Sequence, residues 1–308
     1  ISRSAKYDAQ GGGIINLVLK KGSGDGYNGT IELHGGIPDD EGVSTFINYS
    51  GERINVFSTA GFNHQDQIKY SEIEQFQQNS QTEDPVFFFF CDDSRQRNSF
   101  LFNIGSEFLI NEKNSFNSSF LYSMSNKNFD SELMLTDLNL GQIINQTDRN
   151  VDDNTDDSFF ELLLNYTTSF KTKEHFLSFD LKYDHSLSDN ITDIVNTAVL
   201  PAGPQDLQKT TTDQANSTGL FQVDYAQPIN NFGLVETGLK ANIREYENAL
   251  LVYDYDPVQF KFNPVSGMEN NLSYDEKVYA AYVSFSKELN SLNFSLGLRT
   301  EYTDVRIS

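Results

Sequence analysis

Leu177, Phe179, Leu181 and Tyr183 alternate with Ser178, Asp180, Lys182 and Asp184. A strand through this stretch therefore carries one apolar face and one polar face. The pattern recurs. Val235, Thr237, Leu239, Ala241 and Ile243 alternate with Glu236, Gly238, Lys240, Asn242 and Arg244. Leu292, Phe294, Leu296 and Leu298 alternate with Asn293, Ser295, Gly297 and Arg299. Phe100, Phe102, Ile104, Phe108 and Ile110 form another row, and no charge falls on the apolar side of any of them. Half-buried soluble sheets alternate too, so the pattern fixes strands without fixing their surroundings.

The spacing of the breaks discriminates further. Short polar turns fall near Gly51-Glu52, Asn111-Glu112-Lys113, Lys171-Thr172-Lys173, Asn230-Asn231 and Leu289-Asn290, about every 60 residues. Between them lie longer polar segments near 65–96, 126–157, 187–216 and 247–273, read as loops. Tight turns on one rim and long connections on the other are the pattern of an outer-membrane barrel. A soluble sandwich spaces its turns every ~8–12 residues, without this asymmetry. About eleven strands result, near 27–36, 42–50, 53–65, 97–110, 113–125, 158–170, 174–186, 217–228, 232–246, 274–288 and 291–306. The expected fold is all-β, a transmembrane antiparallel barrel. An odd strand count cannot close a bacterial barrel, and open edges are costly in lipid. The sequence is thus expected to be part of a longer chain, and the absence of a leader before Ile1 agrees.

Composition narrows the function. The 308 residues carry a net charge of −22, which argues against nucleic acid as a partner because phosphates call for Lys and Arg. Solvated loops account for the acidity, and attraction of cations or basic ligands is the sharper alternative. No apolar run approaches the ~18 residues of a membrane helix. The single cysteine, Cys91, rules out an internal disulfide and a Cys-based zinc cluster.

Residues 4–21 read Ser-Ala-Lys-Tyr-Asp-Ala-Gln-Gly-Gly-Gly-Ile-Ile-Asn-Leu-Val-Leu-Lys-Lys. Gly11, Gly12 and Gly13 permit a tight turn with positive φ, and Ile14 to Leu19 read as a short buried strand. Lys20, Lys21 and the glycine-rich stretch to Gly26 make a flexible exit. Followed by a barrel pattern, this segment resembles the close of the plug domain in TonB-dependent outer-membrane receptors. Tyr274-Asp275-Glu276-Lys277-Val278-Tyr279-Ala280-Ala281-Tyr282 and Gly297-Leu298-Arg299-Thr300-Glu301-Tyr302-Thr303 are similar to the Bacteroidetes-type barrel branch of that family. Arg3 stands where a Pro is common and Gln10 where an acidic residue is, which touches turn geometry only. The resemblance implies a barrel of about twenty-two strands, as in plugged outer-membrane transporters. It divides the chain into a plug end at 1–21, a linker at 22–26 and the N-terminal half of the barrel at 27–308. It also implies outer-membrane lipid and a TonB complex as partners, the latter through a segment upstream of Ile1, and a small solute or oligomer as cargo.

No enzyme constellation and no cofactor motif emerges. His34, His64, His175 and His185 are scattered without metal-ligand spacing. Asp184-His185 reads as a satisfied polar pair, since no partner nucleophile can be assigned. Val151-Asp152-Asp153-Asn154-Thr155-Asp156-Asp157 is an oxygen-rich loop that invites Ca²⁺, yet it lacks EF-hand spacing and fits solvated loop acids. Pro85-Val86-Phe87-Phe88-Phe89-Phe90-Cys91 extends a hairpin, packs under a loop cap or offers aromatic surface to a ligand. Glu32, Asp180, Lys182, Glu236, Lys240, Arg244, Arg299 and Glu301 are expected on the lumen side. They either contact the plug and line the solute path or are polar because the lumen is wet. The expected function is energised uptake of a scarce solute. A passive porin-like barrel and a surface adhesin or structural barrel are the rival classes.

Overall fold

The computed structural model describes residues 25–76, 85–139, 142–172, 174–229, 232–289 and 292–308. The plug-end reading of 1–21, with its turn at Gly11, Gly12 and Gly13, and most of the linker lie outside those residues.

Every described element is a strand. In chain order these are β1 (Gly26–Gly36), β2 (Asp39–Ser50), β3 (Ile54–Phe76), β4 (Pro85–Asn111), β5 (Asn114–Asn139), β6 (Gln142–Ser169), β7 (Phe176–Leu200), β8 (Gln205–Ile229), β9 (Gly233–Asp256), β10 (Lys261–Pro264), β11 (Asn270–Leu289) and β12 (Leu292–Ile307). They form a single antiparallel sheet in sequential order, with short β10 attached to β9 only. All eleven expected strands are present in the expected order.

Their lengths correct the loop reading. The polar stretches near 65–96, 126–157, 187–216 and 247–273 are largely strand, and β5 and β6 stay paired from Asn114↔Thr168 to Asn139↔Gln142. Beyond the apolar segments both faces carry Asn, Asp, Ser and Thr, so no apolar face marks the strand. Backbone pairing needs no apolar face, and it satisfies the N–H and C=O groups of each hairpin.

Register extends the local faces into rows across the sheet, because directly paired residues project to the same side. One row runs Tyr49–Val56–Ser106–Ser118–Leu164–Leu181–Phe221–Ala241–Tyr279–Tyr302. Its large members are open to the surroundings: Leu181 is 39%, Phe221 46%, Tyr279 45% and Tyr302 66% exposed. Among the described residues the buried hydrophobic ones are Cys91, Ala226, Ala280 and Tyr282, so the apolar face covers no protein core. A continuous band of this kind needs an apolar solvent. On β7 it runs from Leu177 to Leu187 without an Asp, Glu, Lys or Arg. Ten residue steps rise about 33 Å at 3.3 Å each, or about 25 Å along the membrane normal at a tilt of roughly 40°. That matches the height of a barrel's lipid-facing band.

The sheet is open. β1 pairs only with β2 and β12 only with β11, among the described residues. Unpaired edges are not tolerated in lipid, so this is part of a barrel wall.

Candidate functional site: the polar inner face

The face opposite the apolar band is concave. A hollow of about 740 Å³ is bounded by Asn55 and Phe57 on β3, Asn117 on β5, Asn165 on β6, Asp180 and Lys182 on β7, and Gln222 and Asp224 on β8. Five strand spacings in a flat sheet would separate β3 from β8 by about 24 Å. One hollow can touch both only if the sheet curls toward this side.

All eight residues expected on the lumen side share this face. Glu32 pairs with Ser44, which opposite Gly61, Leu101, Ser123 and Phe159 leads to the row of Ser186 on the polar side of β7. Asp180 pairs with Gln222 and Gln222 with Lys240, which pairs with Ala280 and then Glu301. Lys182, Glu236, Arg244 and Arg299 fall into the neighbouring rows.

The structure brings some of them together and leaves others apart. Asn117 Nδ2 donates to Asn165 Oδ1 at 3.0 Å, and Asn165 Nδ2 donates to Asp180 Oδ1 at 2.6 Å. Lys182 Nζ sits 2.8 Å from Glu161 and 3.2 Å from Asp184. Arg299 Nε lies 2.5 Å from Glu301. Arg244 Nε donates to Asn216 Oδ1 at 3.3 Å, and Ser284 Oγ donates to Glu236 at 3.4 Å. Glu32 stands apart on edge strand β1.

Apolar side to lipid and polar side to a curled interior define the architecture. Residues 168–308 match the outer membrane protein beta-barrel family. The described strands form part of the wall of an outer-membrane β-barrel. No curated protein and no solved structure matches the chain.

Two local readings change and a third narrows once the barrel wall is laid out. Asp184 and His185 point to opposite faces: Asp184 meets Lys182 inside, while His185 Nδ1 lies 2.8 Å from Ser217 Oγ and packs by Phe160 outside. They are neighbours in sequence and do not form a pair. The 151–157 segment is strand, so Asp153 and Asp157 face inward while Asp152 and Asp156 face outward. Strand geometry thus divides the oxygens that a loop would have gathered. Among the described residues no group of three or more His, Cys, Asp or Glu is placed to hold a metal ion. The Phe-rich stretch begins β4 and so extends the hairpin.

Several inner-face residues carry no signal in the sequence. Tyr282 on β11 reaches over Gly238 on β9 to donate its hydroxyl to Asp224 on β8, and both ends are buried. Gly238 makes room, since a Cβ there would lie 2.5 Å from the Tyr282 ring and 2.6 Å from Asp224. Beyond the apolar band, Asp93 accepts from Cys91 Sγ at 2.8 Å and Ser131 Oγ at 2.7 Å. Desolvation pushes the Asp93 carboxyl up, but those two hydrogen bonds and the charges of Arg95 and Lys69 outweigh it, leaving its pKa below the ordinary value. Desolvation and the hydrogen bond to Asp93 push the Cys91 thiol up, which disfavours the thiolate.

Proposed function

We propose that this protein is a TonB-dependent receptor that takes up a scarce solute across the outer membrane. The observation that carries the reading is the unclosed curl: eleven strands in sequential order still leave the wall open. An eight-stranded barrel fills its interior with its own side chains, whereas much larger barrels enclose a channel or a plugged lumen. The plug-like sequence at 4–21 favours the plugged kind. In this reading the inner-face groups, Asp180, Lys182, Glu236, Lys240, Arg244, Arg299 and Glu301 among them, contact the plug and line the solute path. The barrel needs no cofactor and performs no chemistry on its cargo. A TonB complex draws on a segment preceding Ile1 to displace the plug.

Conductance of the full-length protein in planar bilayers separates this reading from its rivals. A plugged receptor is expected to stay closed at rest and to open when urea loosens the plug. Steady open channels without urea would make it a porin. Closed behaviour combined with no proton-motive-force-dependent solute uptake in cells would favour an adhesin or structural barrel.

A further inference from the structure

Beyond the apolar band, two adjacent rows of the inner face run Gln65–Arg97–Lys127–Thr155–Asn190 and Gln67–Arg95–Phe129–Asp153–Thr192. Their side chains enclose a hollow of about 580 Å³, separate from the larger one below. Three cations meet here in a chain whose net charge is −22. Arg97 and Lys127 are directly opposite on neighbouring strands, a like-charge pair that costs stability, and Asp157 answers only the lysine.

The carboxylates nearby have partners of their own, Lys127 among them, and Asp153 itself lines the hollow. Asp157 sits 2.5 Å from Lys127 Nζ and also accepts from Ser125 and Ser188. Asp153 accepts from Thr192 at 2.6 Å, Asn190 at 2.9 Å and Thr155 at 3.3 Å. Asp93, one row further, is held by Cys91 and Ser131. Among the described residues, no carboxylate lies within ion-pair distance of Arg95 or Arg97. The Arg95 guanidinium carbon lies 4.8 Å from the centre of the Phe129 ring, a cation–π contact that steadies the fork. Arg95 and Arg97 are both exposed residues that line the hollow.

We propose that this hollow is an oxyanion subsite: Arg95 and Arg97 bind a carboxylate or phosphate group of the transported solute, with Gln65 and Gln67 supplying amide donors. Planar guanidinium forks match either group through paired N–H bonds. The inward face excludes a lipid headgroup, since lipid contacts the opposite side. Calling the ligand cargo rests on the receptor reading above; the binding itself does not.

The test is calorimetric titration of full-length, detergent-solubilised protein at low salt with inorganic phosphate, glucuronate and glucose, each in the wild type and in the Arg95→Gln/Arg97→Gln double variant. Lys209→Gln, which removes one cation from the outward face of β8, controls for loss of positive charge away from the hollow. At least one anion is expected to bind the wild type and Lys209→Gln, at least tenfold weaker in the double variant, with no binding of glucose. The tighter anion tells whether phosphate or carboxylate is the favoured group. Failure of both anions to bind the wild type, or equal binding to the double variant, overturns the subsite. If the double variant instead loses heat resistance while anions never bind, the arginines pair with the plug and the proposal falls. A channel that conducts at rest would defeat the receptor reading while leaving this titration intact.

Discussion

At the residue scale, Gly238 is the position where the smallest change has the largest expected effect. A side chain there collides with the Tyr282 ring and the Asp224 carboxylate, both buried. Gly238→Val is expected to lower stability by about 1–3 kcal/mol, the usual result of overfilling a packed site. Gly219→Ala meets nothing within 4 Å and is expected to stay within about 0.5 kcal/mol of the wild type. Urea titration of the full-length protein folded into lipid vesicles measures both. The lipid face gives a second contrast. Leu239→Arg places a charge in the band and is expected to cost about 2–4 kcal/mol if it lies near the midplane. Gln222→Arg, on the inner face beside the Asp224 carboxylate, is expected to cost less than about 1 kcal/mol. Equal tolerance of the two would show the face assignment to be wrong.

At the scale of elements, the strands outrun the membrane. From Asn126 to Asn139 and from Gln142 to Asp157 the β5–β6 hairpin continues past the apolar band in unbroken register, apart from a shift at Asp137/Leu138. Side chains bind it laterally: Asn126 Nδ2 donates to Asp156 at 2.9 Å and Asn145 Nδ2 to Asp137 at 3.1 Å. A flexible loop and a paired hairpin differ in amide exchange. Amides of 128–136 and 146–156 are expected to be protected for minutes or longer in hydrogen–deuterium exchange of the full-length protein, whereas the Ala202 amide of the 201–204 turn exchanges quickly. Rapid exchange throughout 126–157 would restore the loop reading. The tight-turn rim is tied differently, by an aromatic group in which Phe170 and His175 lie 4.5 Å apart between ring centres and His175 Nε2 meets the Tyr225 hydroxyl at 3.0 Å. Aromatic side chains with a polar tip suit a membrane interface.

At the scale of the whole molecule, the open edges decide behaviour. β1 is exposed along its entire length and β12 has a partner on one side only. Each unpaired backbone group costs several kcal/mol in lipid, so an isolated wall of these strands cannot rest there. Residues 1–308 expressed alone are expected to aggregate, or to run on cold and heated electrophoresis gels without the mobility shift of a closed barrel. The full-length protein is expected to show that shift. A heat-modifiable, protease-resistant monomer from residues 1–308 would mean that these strands close on themselves, and the expectation of about twenty-two strands would fail.

The sequence alone determined the strand type, the order of eleven strands and the face taken by each side chain, because pleating makes facing a property of adjacent residues. It placed Asp180, Lys182, Glu236, Lys240, Arg244, Arg299, Glu301 and Glu32 on one side for that reason. Which of these residues touch, and where each strand ends, depends on register between strands, and register is a relation between distant segments. Arg97 and Lys127 are thirty positions apart and meet only through the β4–β5 pairing. Asp224, Gly238 and Tyr282 become a single lock only when β8, β9 and β11 lie side by side. The hairpin extensions were illegible for a related reason: polar residues on both faces look like loop until a neighbouring strand is there to take up their backbone hydrogen bonds.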